Sequence, residues 1–157
     1  MSKNMIGLDQ EKAAALANDL NDLLANYQVF YMNVRGYHWN IKGDKFFELH
    51  AKFEELYDDL LLKVDAIAER VLTLGFQPVH SYSDYVKLSQ ISEQKNVADG
   101  NQCVEGILEG FLVLLEKQRK LLNDSDEAGD EGTNALMSDY ITEQEKLAWM
   151  YRSFLGR

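Results

Sequence analysis

The chain has 157 residues and a formal net charge of −10, from 26 acidic and 16 basic side chains. This length predicts one domain with a sizeable core, and the excess of acidic residues disfavours binding to nucleic acid. The single proline indicates a helical protein, because proline interrupts both helices and central strands. There is no N-terminal apolar segment of the signal-peptide type and no apolar run of about 18 residues, so we expect a soluble, cytoplasmic protein with no membrane partner.

Four long helices and one short helix are predicted from the spacing of apolar residues. After a short tail over residues 1–8, the single predicted domain covers residues 9–157. Its first helix is expected to run from about Asp9 to Trp39. The second is expected to begin with Asp44 as its N-cap and to reach Leu74, with Gly75 as the C-cap.

The long connector after the second helix contains a segment, Ser81–Leu88, that can form a short helix. The third long helix is expected over about Asp99–Asn123, where apolar residues recur at core spacing. An acidic, glycine-containing stretch over residues 124–132 breaks it, and the fourth long helix follows over about Thr133–Leu155. The pattern therefore predicts an all-α protein with four main helices.

Five potential metal ligands lie on the first and second predicted helices, spaced 12, 4, 11 and 4 residues apart. They are His38, His50, Glu54, Asp65 and Glu69. Carboxylate oxygens suit hard ferric iron, whereas imidazole raises the affinity for ferrous iron, so this combination is typical of an iron site. A carboxylate pair four residues apart is more often a solvated helix face, and a lone histidine is more often a packed core residue. The metal hypothesis therefore depends on the five residues together.

The spacing of these ligands predicts a site shared between two copies of the chain. His50 and Asp65 are separated by roughly 22 Å along a straight helix, whereas metal–ligand bonds are only about 2 Å long. The pairs Glu54/Asp65 and His50/Glu69 have the same midpoint along the helix. Two antiparallel copies related by a two-fold axis at that midpoint would bring each ligand to its counterpart and build two equivalent sites.

The helical wheel of the second helix supports this arrangement. At about 100° per residue, the four ligands on this helix fall within about 100° of one another. The large apolar side chains of the same helix lie between about 240° and 320° on this scale. The ligands therefore lie beside the apolar stripe that faces the core, as expected for a seam between subunits.

The segment Tyr31–Gly75, which contains all five ligands, resembles the signature of the Dps family, the mini-ferritins named as DNA-binding proteins from starved cells. The resemblance extends from about Asp9 to Gly156. It implies a ferritin-like four-helix bundle with a short extra helix between the second and third long helices. It also implies a hollow homododecamer, built from two-fold dimers, that oxidises ferrous iron preferentially with hydrogen peroxide. Storage of the ferric mineral inside it would protect the cell from oxidative damage.

By this resemblance, the ferroxidase site takes His38, His50 and Glu54 from one subunit and Asp65 and Glu69 from its partner, with two iron sites at each two-fold dimer interface. Glu69 is the expected bridge between two irons. Many family members carry Asp where this chain has Glu54, which leaves the number of irons per site open. The sequence also leaves open whether hydrogen peroxide or dioxygen is the preferred oxidant.

Three other residues have side chains of types that can bind a metal or react with oxidants. Trp39 adjoins His38, and we interpret it first as an interface packing residue and second as an oxidisable indole that captures stray radicals or electrons near the site. Cys103 is the only cysteine, and it is expected to be buried as a small hydrophobe. His80 lies in the connector and is expected at the surface rather than at a metal.

Two groups of acidic residues carry further hypotheses. By resemblance, the stretch before the fourth helix lines three-fold pores that concentrate ferrous ions, and the pore candidates are Asp126, Glu127, Asp130 and Glu131. A separate face of the second helix carries the candidates for mineral nucleation, which are Glu48, Glu55 and Asp59. Both groups also fit ordinary solvated surface.

DNA binding is expected to be weak or absent, because affinity for duplex DNA requires basic side chains and the predicted tail contains only Lys3. Three hypotheses therefore compete. The first is a ferroxidase and iron store, and the second is a nucleoid-associated protein that coats DNA. The third is an oligomer that binds zinc or another divalent ion without turnover, since ligand sets of this kind accept several metals.

Overall fold

The computed structural model describes residues 2–157, which form five α-helices. The helices are α1 (Gln10–Asn40), α2 (Phe46–Thr73), α3 (Tyr82–Leu88), α4 (Gly100–Glu127) and α5 (Glu131–Phe154). α1 packs against α2, α3 and α4, and α5 packs against α4. The four long helices form a bundle with α3 in the connection between α2 and α4, which confirms the predicted fold class. Within residues 2–157, no helix combines the length and the apolar content needed to cross a membrane.

Aspartates cap three of the long helices. Asp9, Asp99 and Asp130 each accept a hydrogen bond from the backbone N–H three residues later, at 3.1, 3.0 and 3.1 Å. The predicted cap of α2 was wrong, because this helix begins after Lys45 without any side-chain cap. The chain first makes a turn that is closed by the Phe46 N–H donating to the Gly43 carbonyl at 3.2 Å, and Asp44 lies within that turn.

α4 extends four residues beyond its predicted end at Asn123. The acidic residues do not interrupt it, because Ser125 on the same segment is buried and the helix keeps its inner face there. The helix ends at Glu127, Gly129 beyond it has a φ of +69°, and the Asp130 N–H returns to the Ser125 carbonyl at 2.8 Å. Glycine adopts this left-handed conformation without the strain that a side chain would cause.

The core lies between the four long helices and contains large aromatic side chains. The rings of Phe30 on α1 and Phe111 on α4 meet edge to face, with centroids 5.4 Å apart. Gly110 allows this approach, because a Cβ atom there would collide with the Phe30 ring. Cys103 is fully buried in the same core, as expected, and burial raises the pKa of its thiol to about 11. The thiol is therefore protonated at neutral pH.

Three asparagines of α1 hold the connector that contains α3. The side chains of Asn21, Asn26 and Asn33 bond backbone groups between residues 77 and 94 at distances of 2.9 to 3.1 Å. Asn26 is completely buried, and its side-chain oxygen accepts from two successive backbone N–H groups. These bonds satisfy the irregular backbone of the connector. Residue type and spacing along α1 do not indicate this role.

Candidate metal centre

The centre of the bundle contains a closed ring of neutral polar side chains. Tyr27 donates to the side-chain oxygen of Gln118, Gln118 donates to Gln144 at 2.7 Å, and Gln144 donates back to the Tyr27 hydroxyl at 2.7 Å. All three residues are buried, and burial raises the pKa of Tyr27. Each polar group of the ring finds its partner within the chain, so the ring stabilises the fold.

A buried ammonium group lies beside this ring. Lys63 of α2 donates to Asp59 at 2.6 Å and contacts the carboxylate of Glu143 at 2.9 Å, and its ammonium lies 5.0 Å from the centroid of the Tyr140 ring. Di-iron sites in the cores of helical bundles are built from glutamates and histidines that point inward from facing helices. Here amides and a lysine take such positions, so the bundle centre is not arranged to hold a metal.

The first half of the candidate site is a pair of histidines that orient each other. The rings of His38 on α1 and His50 on α2 stack with centroids 3.7 Å apart and an angle of 15° between their planes. Nδ1 of His38 lies 2.6 Å from the carbonyl of His50, and Nδ1 of His50 lies 2.7 Å from the carbonyl of His38. Because a carbonyl only accepts, each Nδ1 carries the proton. Each Nε2 therefore keeps a lone pair that can bind a metal.

The surroundings of this pair hold both rings in place. Phe46 stacks on the outer face of His50 at 4.9 Å, and Tyr57 meets His38 edge to face at 5.2 Å. The carboxylate of Glu54 is exposed, and one of its oxygens lies 3.6 Å from Nε2 of His38. The Glu54 carboxylate therefore lies near the metal-binding nitrogen of His38, and His50 is stacked on His38, where α1 ends and α2 begins. We call this group the histidine half-site.

The second half consists of two exposed carboxylates further along α2. Asp65 and Glu69 lie one turn apart on the helix. The hydrogen bond between the two side chains, and then the negative charge of Asp65, raise the pKa of Glu69. Two neighbouring carboxylates whose negative charges disfavour each other are suited to bind a cation between them. We call this pair the carboxylate half-site.

One chain does not bring the two half-sites together. His50 and Asp65 lie on the same uninterrupted helix, α2, which places them roughly 22 Å apart. Within residues 2–157, no three or more His, Cys, Asp or Glu side chains are grouped so that they could hold a metal. Each half-site is incomplete as a di-iron site when it is considered alone.

A cluster around Arg35 adjoins the histidine half-site and was only partly anticipated. The guanidinium lies 4.5 Å from the centroid of the Tyr57 ring and 5.2 Å from that of Trp39, and it donates to the Tyr31 hydroxyl at 2.7 Å. Trp39 is 59 % exposed. Tyr57 links the two groups, since its ring contacts both His38 and the Arg35 guanidinium. Tyr57 follows His50 by seven residues, or two helical turns of α2, and this spacing could have indicated from the sequence that it lies near the site.

The pore hypothesis needs a correction at Asp130. This side chain is buried, and one oxygen accepts from Arg70 at 2.6 Å and from the Thr133 N–H at 3.1 Å. Its other oxygen accepts from the Thr133 hydroxyl. Asp130 caps α5 and pairs with Arg70, so it does not face an opening. The other three pore candidates, Asp126, Glu127 and Glu131, are exposed.

The nucleation candidates differ from one another in their surroundings. Glu48 and Glu55 are exposed and pair with neighbouring lysines of the same region at 3.8 and 3.0 Å. Asp59 is half-buried and bound to Lys63. His80 is exposed in the connector, as expected.

Comparisons with known proteins agree on the architecture of this chain. A family model for the ferritin-like domain matches residues 17–157. The chain is similar to the crystal structure of a DPS protein from Vibrio cholerae O1, described as a member of a broad superfamily of ferritin-like diiron-carboxylate proteins. The identity is 59 %, the match covers 99 % of this chain and 98 % of that one, and the TM-score is 0.97.

Two further comparisons extend the similarity. The crystal structure of a Dps protein from Bacillus brevis is 32 % identical, with 92 % of this chain and 97 % of that chain covered and a TM-score of 0.89. The DNA protection during starvation protein of Porphyromonas gingivalis is 38 % identical over 148 residues, which cover 94 % of this chain and 93 % of that protein.

Proposed function

The chain belongs to the Dps family of ferritin-like proteins, and from this premise we propose that it is a ferroxidase and iron store. It oxidises ferrous iron, preferentially with hydrogen peroxide, and keeps the ferric mineral inside a hollow dodecamer. The observation that carries this proposal is the pair of separated half-sites on α2. Their ligands are of the types that bind iron, and neither half can hold two irons alone.

A second copy of the chain would complete each site. Laid antiparallel about a two-fold axis, α2 of one subunit places its histidine half-site against the carboxylate half-site of the other. Leu61, Leu62 and Leu72 support this arrangement, since they are 48 %, 73 % and 57 % exposed. On the helical wheel they fall within about 20° of the sector that carries the ligands. Apolar side chains exposed next to ligands are suited to burial between subunits.

In this assembly the ligands have distinct tasks. His38 and His50 supply nitrogens for ferrous iron, while Asp65, Glu69 and Glu54 supply oxygens that stabilise the ferric product. Two ferrous ions then give one electron each to one hydrogen peroxide, whose O–O bond breaks. With two protons, the products are two ferric ions and two waters, so no hydroxyl radical is released.

Residues around the site have supporting tasks in this proposal. Trp39 lies beside His38 and serves as a donor for stray one-electron oxidants, in addition to packing at the interface. Asp126, Glu127 and Glu131 are the remaining candidates for a pore that concentrates ferrous ions. Glu48, Glu55 and Asp59 remain the candidates for mineral nucleation.

Protection of the cell follows from removing iron and peroxide, without tight binding to DNA. Twelve chains with a formal charge of −10 each repel a polyanion. A nucleoid-coating protein is therefore the weaker alternative. A zinc-binding oligomer without turnover has the same ligands, and only the reaction separates it from a ferroxidase.

Ferrous iron oxidation by the purified apo-oligomer tests the proposal. Absorbance is followed anaerobically after adding one hydrogen peroxide per two irons. The expected result is fast formation of a soluble ferric product, which Asp65→Ala abolishes and the control Glu116→Ala, at an exposed carboxylate on α4, does not. Oxidation no faster than in buffer would leave a metal-binding oligomer.

Mixed assemblies test whether the site is shared. A His38→Ala subunit and an Asp65→Ala subunit each lack one half-site. A dimer of one with the other regains one complete site of its two, so mixed oligomers should recover a substantial share of the parental rate. Activity no higher than that of the two single variants would contradict the assignment of one site to two subunits.

A further inference from the structure

Arg35 on α1 has unusual neighbours for a charged side chain. It is half-buried, and among residues 2–157 no carboxylate lies within 4.0 Å of its guanidinium. Three aromatic rings surround it instead, with centroids at 4.5 Å for Tyr57, 5.2 Å for Trp39 and 5.9 Å for Tyr31. The guanidinium also donates to the Tyr31 hydroxyl at 2.7 Å. We call these four residues the Arg35 cluster.

The Arg35 cluster meets the histidine half-site at two points. The Tyr57 ring contacts His38 edge to face at 5.2 Å, and Tyr31 in turn meets Tyr57 edge to face at 6.1 Å. Trp39 follows His38 directly in the chain. The proposed oxidation of iron by peroxide would therefore take place next to three side chains that can themselves be oxidised.

A positive charge beside an aromatic ring makes the loss of an electron from that ring less favourable. When a one-electron oxidant takes an electron from the Trp39 indole, the oxidant is reduced and the ring is positive until its N–H proton passes to water. A phenol loses one electron and its hydroxyl proton in the same way. The guanidinium of Arg35 attracts the electron-rich face of a neutral ring but repels the positive ring that oxidation forms. Arginine keeps its charge in proteins, so this effect is permanent.

We propose that Arg35 is a positioning residue that keeps the neighbouring rings reduced while iron is oxidised. It acts through the rings and does not touch iron or peroxide. Because electrons are harder to remove from these rings, peroxide takes both of its electrons from the two ferrous ions. Trp39 then gives an electron only to stronger oxidants, such as a hydroxyl radical. This role rests on the proposed ferroxidase activity, whereas the effect of the charge on the rings can be measured without iron.

Trp149 on α5 provides an internal comparison for Trp39. The two tryptophans of the chain are 54 % and 59 % exposed, respectively. Within residues 2–157, no guanidinium or ammonium group lies over the Trp149 ring. The iron-free oligomer is treated with hexachloroiridate(IV), a one-electron oxidant, at about 0.5 M salt so that surface charges do not steer this dianion. Peptide mass spectrometry then gives the ratio of oxidised Trp39 to oxidised Trp149.

Arg35→Met should raise this ratio about tenfold over that of the parent, because the charge that opposes ring oxidation is gone. Arg35→Lys keeps a charge beside the rings and should keep a ratio near that of the parent. The control Arg119→Met removes an equal charge from α4, where the partner is Glu145, and should not change the ratio. If Arg35→Met does not assemble, Arg35→Gln gives the same comparison, since its amide can still donate to the Tyr31 hydroxyl.

An equal ratio in the parent and Arg35→Met would overturn the proposal. A rise in Arg35→Lys as large as that in Arg35→Met would also overturn it, because packing of the planar group and not its charge would then protect the rings. With iron and peroxide, freeze-quench electron paramagnetic resonance should detect more tyrosyl or tryptophanyl radical per iron oxidised in Arg35→Met than in the parent, and equal radical yields would contradict the role of Arg35. A parent that does not oxidise iron would refute the ferroxidase proposal alone, because the iron-free ratio does not depend on turnover.

Discussion

Two polar regions of the molecule differ in whether one chain supplies all the partners that their polar groups need. In the bundle centre, Tyr27, Gln118 and Gln144 are buried, and each bonds the next in a closed ring. In the half-sites, the Nε2 atoms of the histidines are free of backbone partners, and the carboxylates of Asp65 and Glu69 on α2 are exposed. Buried polarity that satisfies itself stabilises the fold. Polarity that one chain leaves incomplete marks the place where a metal and a partner are expected.

Removing the carboxylate half-site should have the largest effect. The double variant Asp65→Ala/Glu69→Ala loses both partner ligands, and we expect its peroxide-driven oxidation rate to fall at least about 1,000-fold, equivalent to about 4 kcal/mol. Its unfolding temperature should stay the same or rise, because the repulsion between two exposed carboxylates is removed. Stopped-flow absorbance and thermal unfolding measure the two quantities. A rate within tenfold of the parent would contradict the assignment of this half-site.

Breaking the hydrogen-bonded ring in the bundle centre should lower the stability of the fold and leave the oxidation rate unchanged. Gln118→Leu leaves the Tyr27 hydroxyl without an acceptor and the Gln144 side-chain carbonyl without a donor, at a cost of about 3 kcal/mol in the free energy of unfolding. The rate of iron oxidation per assembled site should be unchanged. Urea unfolding followed by circular dichroism measures the loss. The triple variant Tyr27→Phe/Gln118→Leu/Gln144→Leu removes all the polar groups left without partners, so it should regain part of the lost free energy of unfolding. If Gln118→Leu were as stable as the parent, the ring would contribute little to stability.

Asp130 tests, with a smaller expected effect, whether a polar side chain has a structural or a functional role. Asp130→Ala removes the cap of α5 and the partner of Arg70, so we expect a loss of about 2 kcal/mol in unfolding free energy. If Asp130 has only this structural role, the rate of iron uptake by the assembled oligomer is unchanged. Asp126→Ala is the matched comparison, because that carboxylate is exposed. If Asp130→Ala assembles as the parent does but takes up iron more slowly, Asp130 would again be a candidate for lining the pore.

The fold was largely predictable because its signal is local and repeated. Apolar residues at three- and four-residue steps marked the four long helices, and the glycine after α2 marked its end, which lies at Thr73, one residue before the predicted Leu74. The i, i+4 ligand pairs of α2 were visible for the same reason, since a helix places such residues on one face. The predicted ligand roles themselves stay predictions until the ferroxidase measurement is made.

What the sequence did not indicate depends on partners that are distant along the chain. Asp130 looked like a loop carboxylate, and only the position of Arg70, 60 residues away, makes it a buried cap. Asn26 looked like a polar residue within a helix, but its acceptor atom serves connector residues more than 60 positions later. Asp44 is of a residue type that suits an N-cap, but the chain forms a turn there and α2 begins only at Phe46. Residue type and spacing do not encode these tertiary contacts.

The exchange of backbone hydrogen bonds between His38 and His50 makes the two histidines one unit. Each ring is oriented by the main chain of the other, so replacing either one removes a ligand and also releases its companion to rotate. The effects of the two single replacements on iron affinity therefore should not add, and the double replacement should be scarcely worse than either alone. Selection is therefore expected to act on the two histidines as a pair, because a chain that loses one gains little iron affinity from the other.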